Sequence, residues 1–520
     1  MQIVESSEIA CSNESTLCNV PPTVARSYGD RLPAGLRPIY VYEYPDGSGF
    51  VFNAEHPSGV RYLARHAFAV YRNLLGTEGK IPTVDEYNGA LYADFIKLGI
   101  ARSRYAAKQR TAARSHPRHF SVWLHIVNAC NLSCRYCYIP NLQRMADADS
   151  ATENVMSATT IERSTASLFE FCKVSGFQSV LIKFAGGEPA LCGDQIRLTC
   201  EIANRCAEHS GVAVKFAMLS NGVLLDEQVC EVLVQNRIAV SISVDGDIEA
   251  HNDVRFKILN SESDDGCRSY AKVGTWDLID KNVRYLMSIG IRPYFMCTVT
   301  GRNYDRLSGL FRYTMSNRIG VRLSMVRDSL SHLRPGLQHR ILEELVGIYA
   351  WLGESMPADM PIERFAAFGD WEPGVKKEAI CSACRTYAAI DHRGNVASCQ
   401  MRLGSSNENL LETSFSQAFS RVQGDTENLY LIRPSAKSGD CSRCYWKYIC
   451  AGGCPEHTRS VVGSSNAPSP WCELFHNLLP HYLNAIALQR KRRMDMPQRG
   501  ATDGVPGKFC AGRNERQIRI

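Results

Sequence analysis

Residues 130–137 read Cys130-Asn-Leu-Ser-Cys134-Arg-Tyr-Cys137, which places three cysteines in a C-x3-C-x2-C spacing. They follow the apolar run Ser121–Val127 (SVWLHIV), which the pattern predicts to be a strand. A cubane of four irons normally takes four thiolates, so a loop that offers three leaves one iron open to a small molecule. The same spacing also suits a zinc knuckle or three buried thiols, because cysteine is often buried as a small hydrophobe.

Size and composition limit the classes of protein to which the chain can belong. The chain has 520 residues and a mass of 57.9 kDa, which predicts about two to four domains. Hydrophobic residues make up 45% and charged residues 22%, as in soluble globular proteins. The net charge of +6 is small for this length, so we expect no nucleic-acid partner.

Cysteine usage indicates metal sites. We predict no membrane span, because no stretch of about 18 apolar residues occurs. The N-terminus has no basic start and no apolar region of a signal peptide, so we expect a cytoplasmic protein. In a reducing compartment, 21 cysteines point to metal ligands rather than disulfides. Eleven of them fall in ligand-like clusters.

The N-terminal third predicts a small unit of hairpin and helices over residues 36–101, after a flexible arm over 1–35. Ile39–Tyr44 and Phe50–Asn53 flank a Gly-rich turn, which predicts a β-hairpin. One helix is expected over Pro57–Leu75, and a second begins at the capping box at Thr83. Residues 102–118 form a linker with six Lys or Arg and no acid.

Residues 119–330 alternate strand-like and helix-like segments, which predicts an α/β fold with parallel strands. The expected strands are Ser121–Val127, Ser179–Phe184, Val212–Leu219, Ile238–Val244, Arg292–Thr300 and Gly320–Val326. Helices fit between them, for example Glu227–Asn236 and Asp277–Ile289. Leu259–Gly274 reads as a polar, mobile insertion.

Polar motifs follow the ends of these strands, where parallel α/β folds bind ligands. The candidate residues are Gly186, Gly187, Glu188 and Pro189 after the second strand, Ser220 and Asn221 after the third, Ser243 in the fourth, and Arg255. Glycine lets a backbone approach a ligand closely, and an arginine can pair with a carboxylate through two hydrogen bonds. Taken separately, the tetrapeptide Gly186–Pro189 could be an ordinary turn, and Arg255 could form an ion pair at the surface.

Eight cysteines mark the segment 376–488, after a helical linker over 331–375. They are Cys381, Cys384, Cys399, Cys441, Cys444, Cys450, Cys454 and Cys472. Two zinc sites of four thiolates would suit the C-x2-C pairs. A final helix is expected to reach about Leu488, and residues 489–520 are predicted to be disordered.

The cysteine loop, including Tyr136, resembles the cluster loop of radical S-adenosylmethionine (SAM) enzymes, and the C-terminal cysteine string resembles the SPASM extension. The resemblance implies a partial (β/α)6 TIM-like barrel and a C-terminal cysteine-rich iron–sulfur domain. Cys130, Cys134 and Cys137 would hold a 4Fe–4S cluster that cleaves SAM to a 5′-deoxyadenosyl radical. SAM contacts are implied for Tyr136, Gly186, Gly187, Glu188, Pro189, Ser220, Asn221, Ser243 and Arg255.

SPASM relatives carry two auxiliary 4Fe–4S clusters. The resemblance implies Cys381, Cys384, Cys399 and Cys454 for the first and Cys441, Cys444, Cys450 and Cys472 for the second. Cys381 lies closer to Cys384 than the corresponding residue does in sulfatase-maturing enzymes. Residues 36–101 resemble the winged-helix-like peptide-recognition domain of enzymes that modify ribosomal peptides, although a plain helical extension is the alternative.

Together these features predict a radical SAM maturase that modifies a ribosomally made precursor peptide. The modification would be a thioether or carbon–carbon cross-link, an epimerisation or an oxidation. The leader peptide is expected on the N-terminal domain, and an electron donor such as flavodoxin or ferredoxin is required. A formylglycine-generating enzyme of the anaerobic sulfatase-maturase type is the alternative, and a non-enzymatic iron–sulfur redox protein is the third. The sequence assigns no catalytic acid or base.

Overall fold

The computed structural model covers most of the chain, and the following ranges are the ones it describes. These are residues 39–53, 59–76, 91, 93–95, 119–139, 142–144, 154–262, 268–327, 336–373, 375–377, 381–425, 441, 444, 446–464 and 467–495. The expected arm over 1–35, the basic linker over 102–118 and the start of the second N-terminal helix lie outside these ranges. Among the described residues, no helix combines the length and the apolar character that a membrane span requires.

The N-terminal unit is a three-stranded antiparallel sheet with one helix. Strands β1 (Ile39–Glu43), β2 (Gly49–Asn53) and β3 (Val60–Leu63) pair in the order β1-β2-β3, and helix α1 spans Arg65–Gly76. The predicted hairpin is present. The helix prediction from Pro57 is wrong for its first part, because Val60–Leu63 pairs with β2 before the chain turns helical. Valine and tyrosine favour strands, and β2 provides the hydrogen-bonding partner for this segment. The helical sequence pattern gives no indication of that partner.

The central sheet has nine strands, and all its neighbouring pairs are parallel except the last. The remaining strands are β4 (His119–Val127), β5 (Ala129–Cys130), β6 (Gln143–Arg144), β7 (Ser179–Gly186), β8 (Ala213–Ser220), β9 (Ala239–Ser243), β10 (Phe256–Glu262), β11 (Arg268–Gly274), β12 (Tyr294–Val299), β13 (Gly320–Met325), β14 (Ala366–Phe368), β15 (Tyr387–Ile390) and β16 (Val396–Ala397). The sheet order is β14-β13-β12-β9-β8-β7-β4-β15-β16. β5 pairs with β6, and β10 pairs with β11, in separate small sheets.

Helices connect these strands and cover one face of the sheet. They are α2 (Ala158–Val174), α3 (Gly193–Ser210), α4 (Glu227–Gln235), α5 (Ile248–Val254), α6 (Trp276–Ser288), α7 (Leu307–Ser316), α8 (Leu337–Ser355), α9 (Ile362–Phe365), α10 (Phe415–Gly424), α11 (Pro455–Val462) and α12 (Cys472–Asp495). Ser157, Asp226 and Asp247 begin three of them, because each side chain accepts a hydrogen bond from a backbone N–H of the first turn.

The α/β fold prediction is confirmed, and all six expected strands form within a few residues of their predicted bounds. Two further parallel strands extend the sheet. β14 pairs with β13 at one edge, and β15 pairs with β4 at the other. Both strands are only three or four residues long. Such a short apolar run does not show the alternation of buried and exposed residues by which a strand is predicted from sequence.

The predicted insertion over Leu259–Gly274 contains parts of the paired strands β10 and β11, in which Phe256 pairs with Gly274 and Glu262 with Arg268. The predicted end of the last helix is wrong for the residues that the structure describes. Helix α12 continues to Asp495 rather than ending near Leu488. Its last turns have partners, since Arg490 contacts Glu363 at 2.5 Å and Arg492 Nε donates to Gly353 O at 3.0 Å.

Successive side chains of each strand point alternately to the helix-covered face and to the open concave face of the sheet. On β7, Val180, Ile182 and Phe184 are buried against helices, while Leu181 and Lys183 point to the concave face. Val180, Ile182 and Phe184 belong to the main hydrophobic core. This arrangement leaves the concave interior and the carboxyl ends of the strands for a functional site.

Candidate active site

The three-cysteine loop is held against the segment that carries Arg255. Ser133 N donates to Phe256 O at 2.9 Å, and Arg135 N donates to Val254 O at 3.1 Å. Cys130 is 6% exposed, whereas Cys134 and Cys137 are partly buried. The loop therefore has a fixed backbone before any cofactor is considered.

The thiols of this loop share one environment. Burial, then the carboxylate of Glu188 and the thiols of Cys134 and Cys137, raise the pKa of Cys130 to about 12. Neighbouring thiolates repel one another in a buried site unless a cationic metal centre neutralises them. The donor set fits an iron–sulfur cluster, because it offers three grouped thiolates with N–H donors beside them.

Those N–H donors come from two residues that the sequence marks as SAM contacts. Asn221 Nδ2 lies 3.9 Å from Cys130 Sγ, and Arg255 Nη1 lies 3.7 Å from Cys134 Sγ. Asn221 Nδ2 also donates to Asn131 Oδ1 at 2.7 Å, inside the cysteine loop. The ends of β8 and the region after β9 are thereby joined to the loop.

The Gly-Gly-Glu-Pro segment packs directly on the cysteine loop. Gly187 N donates to Val127 O at 2.8 Å, and Glu188 N donates to Ala129 O at 2.9 Å. A Cβ on Gly187 would lie 2.0 Å from the Ala129 oxygen. The structure therefore explains this glycine by the approach of the chain's own backbone, rather than by the approach of a ligand as the sequence suggested.

Glu188 is fully buried and organises the neighbouring strand end. Its Oε1 accepts hydrogen bonds from Ala190 N at 3.0 Å and Ser220 Oγ at 2.7 Å, and Oε2 accepts one from Asn221 N at 2.6 Å. Burial raises the pKa of Glu188 to about 7, although these hydrogen bonds favour the ionised carboxylate and oppose the shift. Three donors of the chain therefore bind this carboxylate, which ties the Gly-Gly-Glu-Pro segment to the end of β8.

Asp245, which the sequence analysis did not single out, holds Arg255 in place. Arg255 Nε donates to Asp245 Oδ2 at 2.6 Å, and Thr298 N donates to Oδ1 at 2.7 Å. Tyr136 donates its hydroxyl to the same carboxylate and stacks under the guanidinium, with Arg255 Cζ 5.3 Å from the ring centroid. The alternative of a surface ion pair for Arg255 is wrong, because Asp245 is fully buried.

The remaining predicted residues fall at the same end of the sheet. Ser220 is the last residue of β8, and Ser243 ends β9 opposite Met296 of β12. Pro189 begins a short 3₁₀ turn whose first N–H groups bond to Glu188. The only sequence signal for Asp245 was its place at a strand end before Gly246, which has a φ of +86°.

The eight C-terminal cysteines form two groups. Burial and the thiols of Cys454 and Cys381 raise the pKa of Cys399 to about 12, and burial with the Cys381 thiol raises the pKa of Cys384 to the same value. In the second group, burial and then Cys444, Cys472 and Cys441 raise the pKa of Cys450 to about 12. The four members of each inferred ligand set are therefore neighbours in space.

Among the described residues, no three His, Cys, Asp or Glu side chains are grouped tightly enough to hold a metal ion. A zinc site needs its four ligands within about 2.0–2.3 Å of one centre, whereas a cluster binds each thiolate at a different iron, so that its ligands stand farther apart.

The second cysteine group lies against the N-terminal sheet. Trp446, between Cys444 and Cys450, has its ring 5.4 Å from Tyr40 and 6.4 Å from Phe52. Trp446 N donates to Cys444 Sγ at 3.4 Å. The N-terminal sheet and the second cysteine group are thus in direct contact.

Comparison with known proteins identifies the central region. Residues 124–313 match the family model of the radical SAM superfamily. The chain is 22% identical over 380 residues to a cysteine-type anaerobic sulfatase-maturating enzyme of Clostridium perfringens, covering 69% of this chain and 95% of that protein. It is 21% identical over 398 residues to the serine-type enzyme of Klebsiella aerogenes, covering 74% and 91%.

A solved structure has the same fold. The structure of native anSMEcpe with bound AdoMet aligns with a TM-score of 0.54 and 16% identity, covering 72% of this chain and 99% of that one. It agrees with the open, parallel-rich sheet as a partial barrel. The radical SAM family implies a 4Fe–4S cluster and SAM. The chain is therefore an enzyme that carries a radical SAM domain and is homologous to the anaerobic sulfatase-maturating enzymes.

Proposed function

We propose that this enzyme modifies a ribosomally made peptide, with hydrogen-atom abstraction at a substrate carbon as its chemical step. The observation that carries the proposal is the junction of the cysteine loop with Glu188, Asn221 and Arg255 at one end of the sheet. These residues come from four separate segments, and hydrogen bonds hold them together.

Each residue of this junction has a physical task. Cys130, Cys134 and Cys137 would hold the cluster, and the N–H groups of Asn221 and Arg255 would stabilise electron-rich sulfur. Tyr136 and Asp245 fix the guanidinium of Arg255, whose unused N–H groups suit a carboxylate. When bound, the cluster and SAM supply the hydrogen-abstracting chemistry. The protein positions the substrate and excludes water.

We infer that Gly186, Gly187, Pro189, Ser220 and Ser243 complete the SAM site from the strand ends. The family resemblance assigns Glu188 to the SAM ammonium, and its hydrogen bonds to Ala190, Ser220 and Asn221 support this role by fixing the backbone around that position.

We infer two auxiliary 4Fe–4S clusters, on Cys381/Cys384/Cys399/Cys454 and on Cys441/Cys444/Cys450/Cys472. The two separate groups of thiols support this assignment. Arg327 supports the first, because its pKa is raised chiefly by Cys454, with Asp370 and Cys399 among the further causes. A guanidinium beside this group would balance the negative charge of a thiolate-bound cluster.

A peptide substrate is supported by the relatives and by the N-terminal unit. Two homologues are named as sulfatase-maturating enzymes, and one solved relative carries a bound Cp18Cys peptide. The β1–β3 sheet and helix α1 support a peptide-recognition role for this unit, because the sheet has a strand edge. Strand addition at a sheet edge would bind a leader peptide there. The same proposal includes an electron donor such as flavodoxin or ferredoxin. It also places the enzyme in a reducing cytoplasm.

Sulfatase maturation is the second candidate, because the homologues that support the family carry that name. The N-terminal unit favours precursor-peptide modification instead, since its three-stranded sheet has an edge to which a leader peptide could add a strand. The two candidates share the central chemistry and differ in substrate.

The first experiment tests the chemistry. Anaerobically reconstituted, reduced protein should hold about twelve irons and release 5′-deoxyadenosine from SAM. The triple change of Cys130, Cys134 and Cys137 to alanine should abolish this release and leave about eight irons. Failure of the wild-type protein to release 5′-deoxyadenosine would contradict the proposed function, and about four irons with bound zinc would contradict the auxiliary sites.

The second experiment separates the candidates. Mass spectrometry after incubation with a sulfatase peptide containing cysteine or serine should show no formylglycine. Incubation with a precursor peptide encoded beside this protein should give a mass change in the peptide. Formylglycine in the sulfatase peptide would favour the second candidate.

A further inference from the structure

The cysteine loop reaches the protein surface at Arg135, which lies between Cys134 and Cys137. The Arg135 side chain is 42% exposed, whereas the two cysteines are partly buried. Outside the loop, Arg135 packs on Asp253 in helix α5. Its Nε donates to the Asp253 carbonyl at 3.0 Å, and its Nη2 lies 3.6 Å from the Asp253 carboxylate. These contacts hold the guanidinium at the surface next to the loop.

Two further cations converge on Asp253. Lys272 of β11 has its Nζ 3.0 Å from Asp253 Oδ1, and Arg302, after β12, has its Nη1 3.4 Å from Oδ2. Their side chains are 39% and 53% exposed. Among the residues that the structure describes, Asp253 is the one carboxylate within ion-pair distance of Arg135, Lys272 and Arg302. Three cations therefore surround one carboxylate, which leaves two positive charges unbalanced at this surface.

An apolar centre lies among these cations. The ring centroid of Phe256, on β10, is 5.5 Å from Arg135 Cζ and 4.5 Å from Lys272 Nζ. Ile258 lies directly opposite Lys272 in the antiparallel register, points to the same face as Phe256 and is 38% exposed. Arg135, Lys272, Arg302, Phe256 and Ile258 together form the basic patch. Cations around an exposed apolar centre suit a protein partner of opposite charge.

Two short paths join the basic patch to the thiol of Cys134. Arg135 follows Cys134 directly in the chain. Phe256 follows Arg255, whose Nη1 lies 3.7 Å from Cys134 Sγ, and the Phe256 carbonyl accepts a hydrogen bond from Ser133 N at 2.9 Å. The patch therefore offers an electron a path to the cysteine loop that does not pass through the concave interior of the sheet.

We propose that the basic patch is the docking surface for a small acidic protein that carries one electron. The inference rests on the proposed function, which requires an electron donor, and assigns that donor a place and a charge. One electron would leave the docked carrier, which is oxidised, and reach the cluster site at the cysteine loop, which is reduced. Opposite charge would steer the encounter, and a small interface would let the oxidised carrier leave.

The test compares reductants on the reconstituted holoenzyme with SAM. Dithionite is a small reductant that needs no docking surface, and a reduced acidic flavodoxin and a reduced acidic ferredoxin are the two carrier probes. The readout is the carrier-driven rate of 5′-deoxyadenosine formation divided by the dithionite-driven rate, because damage to the cluster site cancels in this ratio. For the wild type, the ratio should fall at least about threefold between about 50 mM and about 300 mM salt.

Charge reversal decides whether the patch is responsible. Lys272→Glu combined with Arg302→Glu should lower the ratio about tenfold, and Lys272→Gln combined with Arg302→Gln should lower it less. Arg292→Glu combined with Arg318→Glu is the matched control. It makes the same change of charge on exposed residues that precede β12 and β13, at the opposite end of these strands, and should keep the wild-type ratio.

Calorimetric titration of each carrier into the holoenzyme measures docking without turnover. Lys272→Glu combined with Arg302→Glu should raise the dissociation constant about tenfold, and the control should leave it unchanged. A wild-type ratio and affinity in the patch variant, an equal loss in the control, or a wild type that dithionite reduces and neither carrier reduces would overturn the proposal. Absence of SAM cleavage with dithionite would instead contradict the proposed function, and the titration would still report on docking.

Discussion

At the residue scale, the buried pair of Asp245 and Arg255 differs from the exposed ion pairs nearby. Asp245 is 0% exposed and Arg255 11%, whereas Asp253 is 38% exposed and pairs with Arg135, Lys272 and Arg302. Removing one partner of a buried pair leaves an uncompensated charge, while an exposed pair is screened by solvent. The same chemical change at the two aspartates should therefore have different consequences.

We predict that Asp245→Asn lowers the free energy of unfolding by about 3–5 kcal/mol and reduces SAM cleavage by about tenfold or more. The physical reason is that Arg255 and Tyr136 lose the acceptor that orients them. Chemical denaturation and 5′-deoxyadenosine formation measure the two effects. Asp253→Asn is the matched control and should cost at most about 1 kcal/mol. Equal losses in both variants would show that the buried pair has no special role.

A second residue-scale prediction concerns pH. Burial lowers the pKa of His251 and of His125 to about 4. Both histidines stay neutral in the native state, while the unfolded chain takes up their protons below about pH 6.5. Each should therefore reduce stability by about 1.4 kcal/mol per pH unit as the pH falls from about 6.5 towards 4.

Denaturation midpoints between about pH 7 and about pH 5.5 measure this slope. His251→Gln should flatten it, because glutamine does not titrate. A steeper dependence of stability on pH in His251→Gln would contradict this prediction. A wild-type stability that rises on acidification would contradict it as well.

At the scale of secondary-structure elements, the junction of β4 and β7 sets the position of the cysteine loop. The ends of these strands exchange backbone hydrogen bonds through Gly187 and Glu188, with no room for a side chain at Gly187. A Cβ there would lie 2.0 Å from Ala129 O, so Gly187→Ala must displace the cysteine loop. Displacement of backbone is costly because the surrounding interior is close-packed.

We predict that Gly187→Ala loses about four irons per chain and all SAM cleavage, while the two proposed C-terminal clusters keep their iron. Iron analysis and 5′-deoxyadenosine formation provide the readouts. Gly193→Ala is the control, since its Cβ would lie 3.4 Å from the nearest atom, Val229 Cγ2, at the start of helix α3. Full iron content in Gly187→Ala would mean that the loop adapts to the added methyl group.

The sequence was sufficient for elements that carry their own pattern and insufficient for those that depend on a partner. Apolar runs predicted β4 and β7 because each strand is long enough to show its burial. Strand β3 and strand β14 were missed, since three or four residues become a strand only when a neighbour supplies hydrogen bonds. The cysteine ligand sets that the family resemblance implies stay predictions. Asp245 acquires its role from contacts with Tyr136 and Thr298, which no local pattern encodes.

At the scale of the whole molecule, the N-terminal sheet and the C-terminal region share a core. Tyr44 donates its hydroxyl to Asn484 Oδ1 at 2.9 Å, and Arg490 contacts the Val60 carbonyl. These contacts join residues about 430–440 positions apart, so the sequence alone could not indicate them. The domain boundaries drawn from the sequence stay predictions, but the two ends of the chain are packed against each other.

The last prediction concerns Trp446, which links the N-terminal sheet to the second cysteine group. Trp446→Ala would remove a ring that contacts Tyr40 and Phe52, and its loss should cost about 3–5 kcal/mol of stability. Because Trp446 is between Cys444 and Cys450, the second auxiliary cluster that we propose should be lost with its iron, while SAM cleavage at the Cys130 loop should persist. Denaturation, iron analysis and 5′-deoxyadenosine formation separate these effects. Trp351→Ala, a half-buried tryptophan on helix α8, should cost less and keep all its iron. If Trp446→Ala retains both stability and iron, the contact between the two ends of the chain carries no energetic coupling.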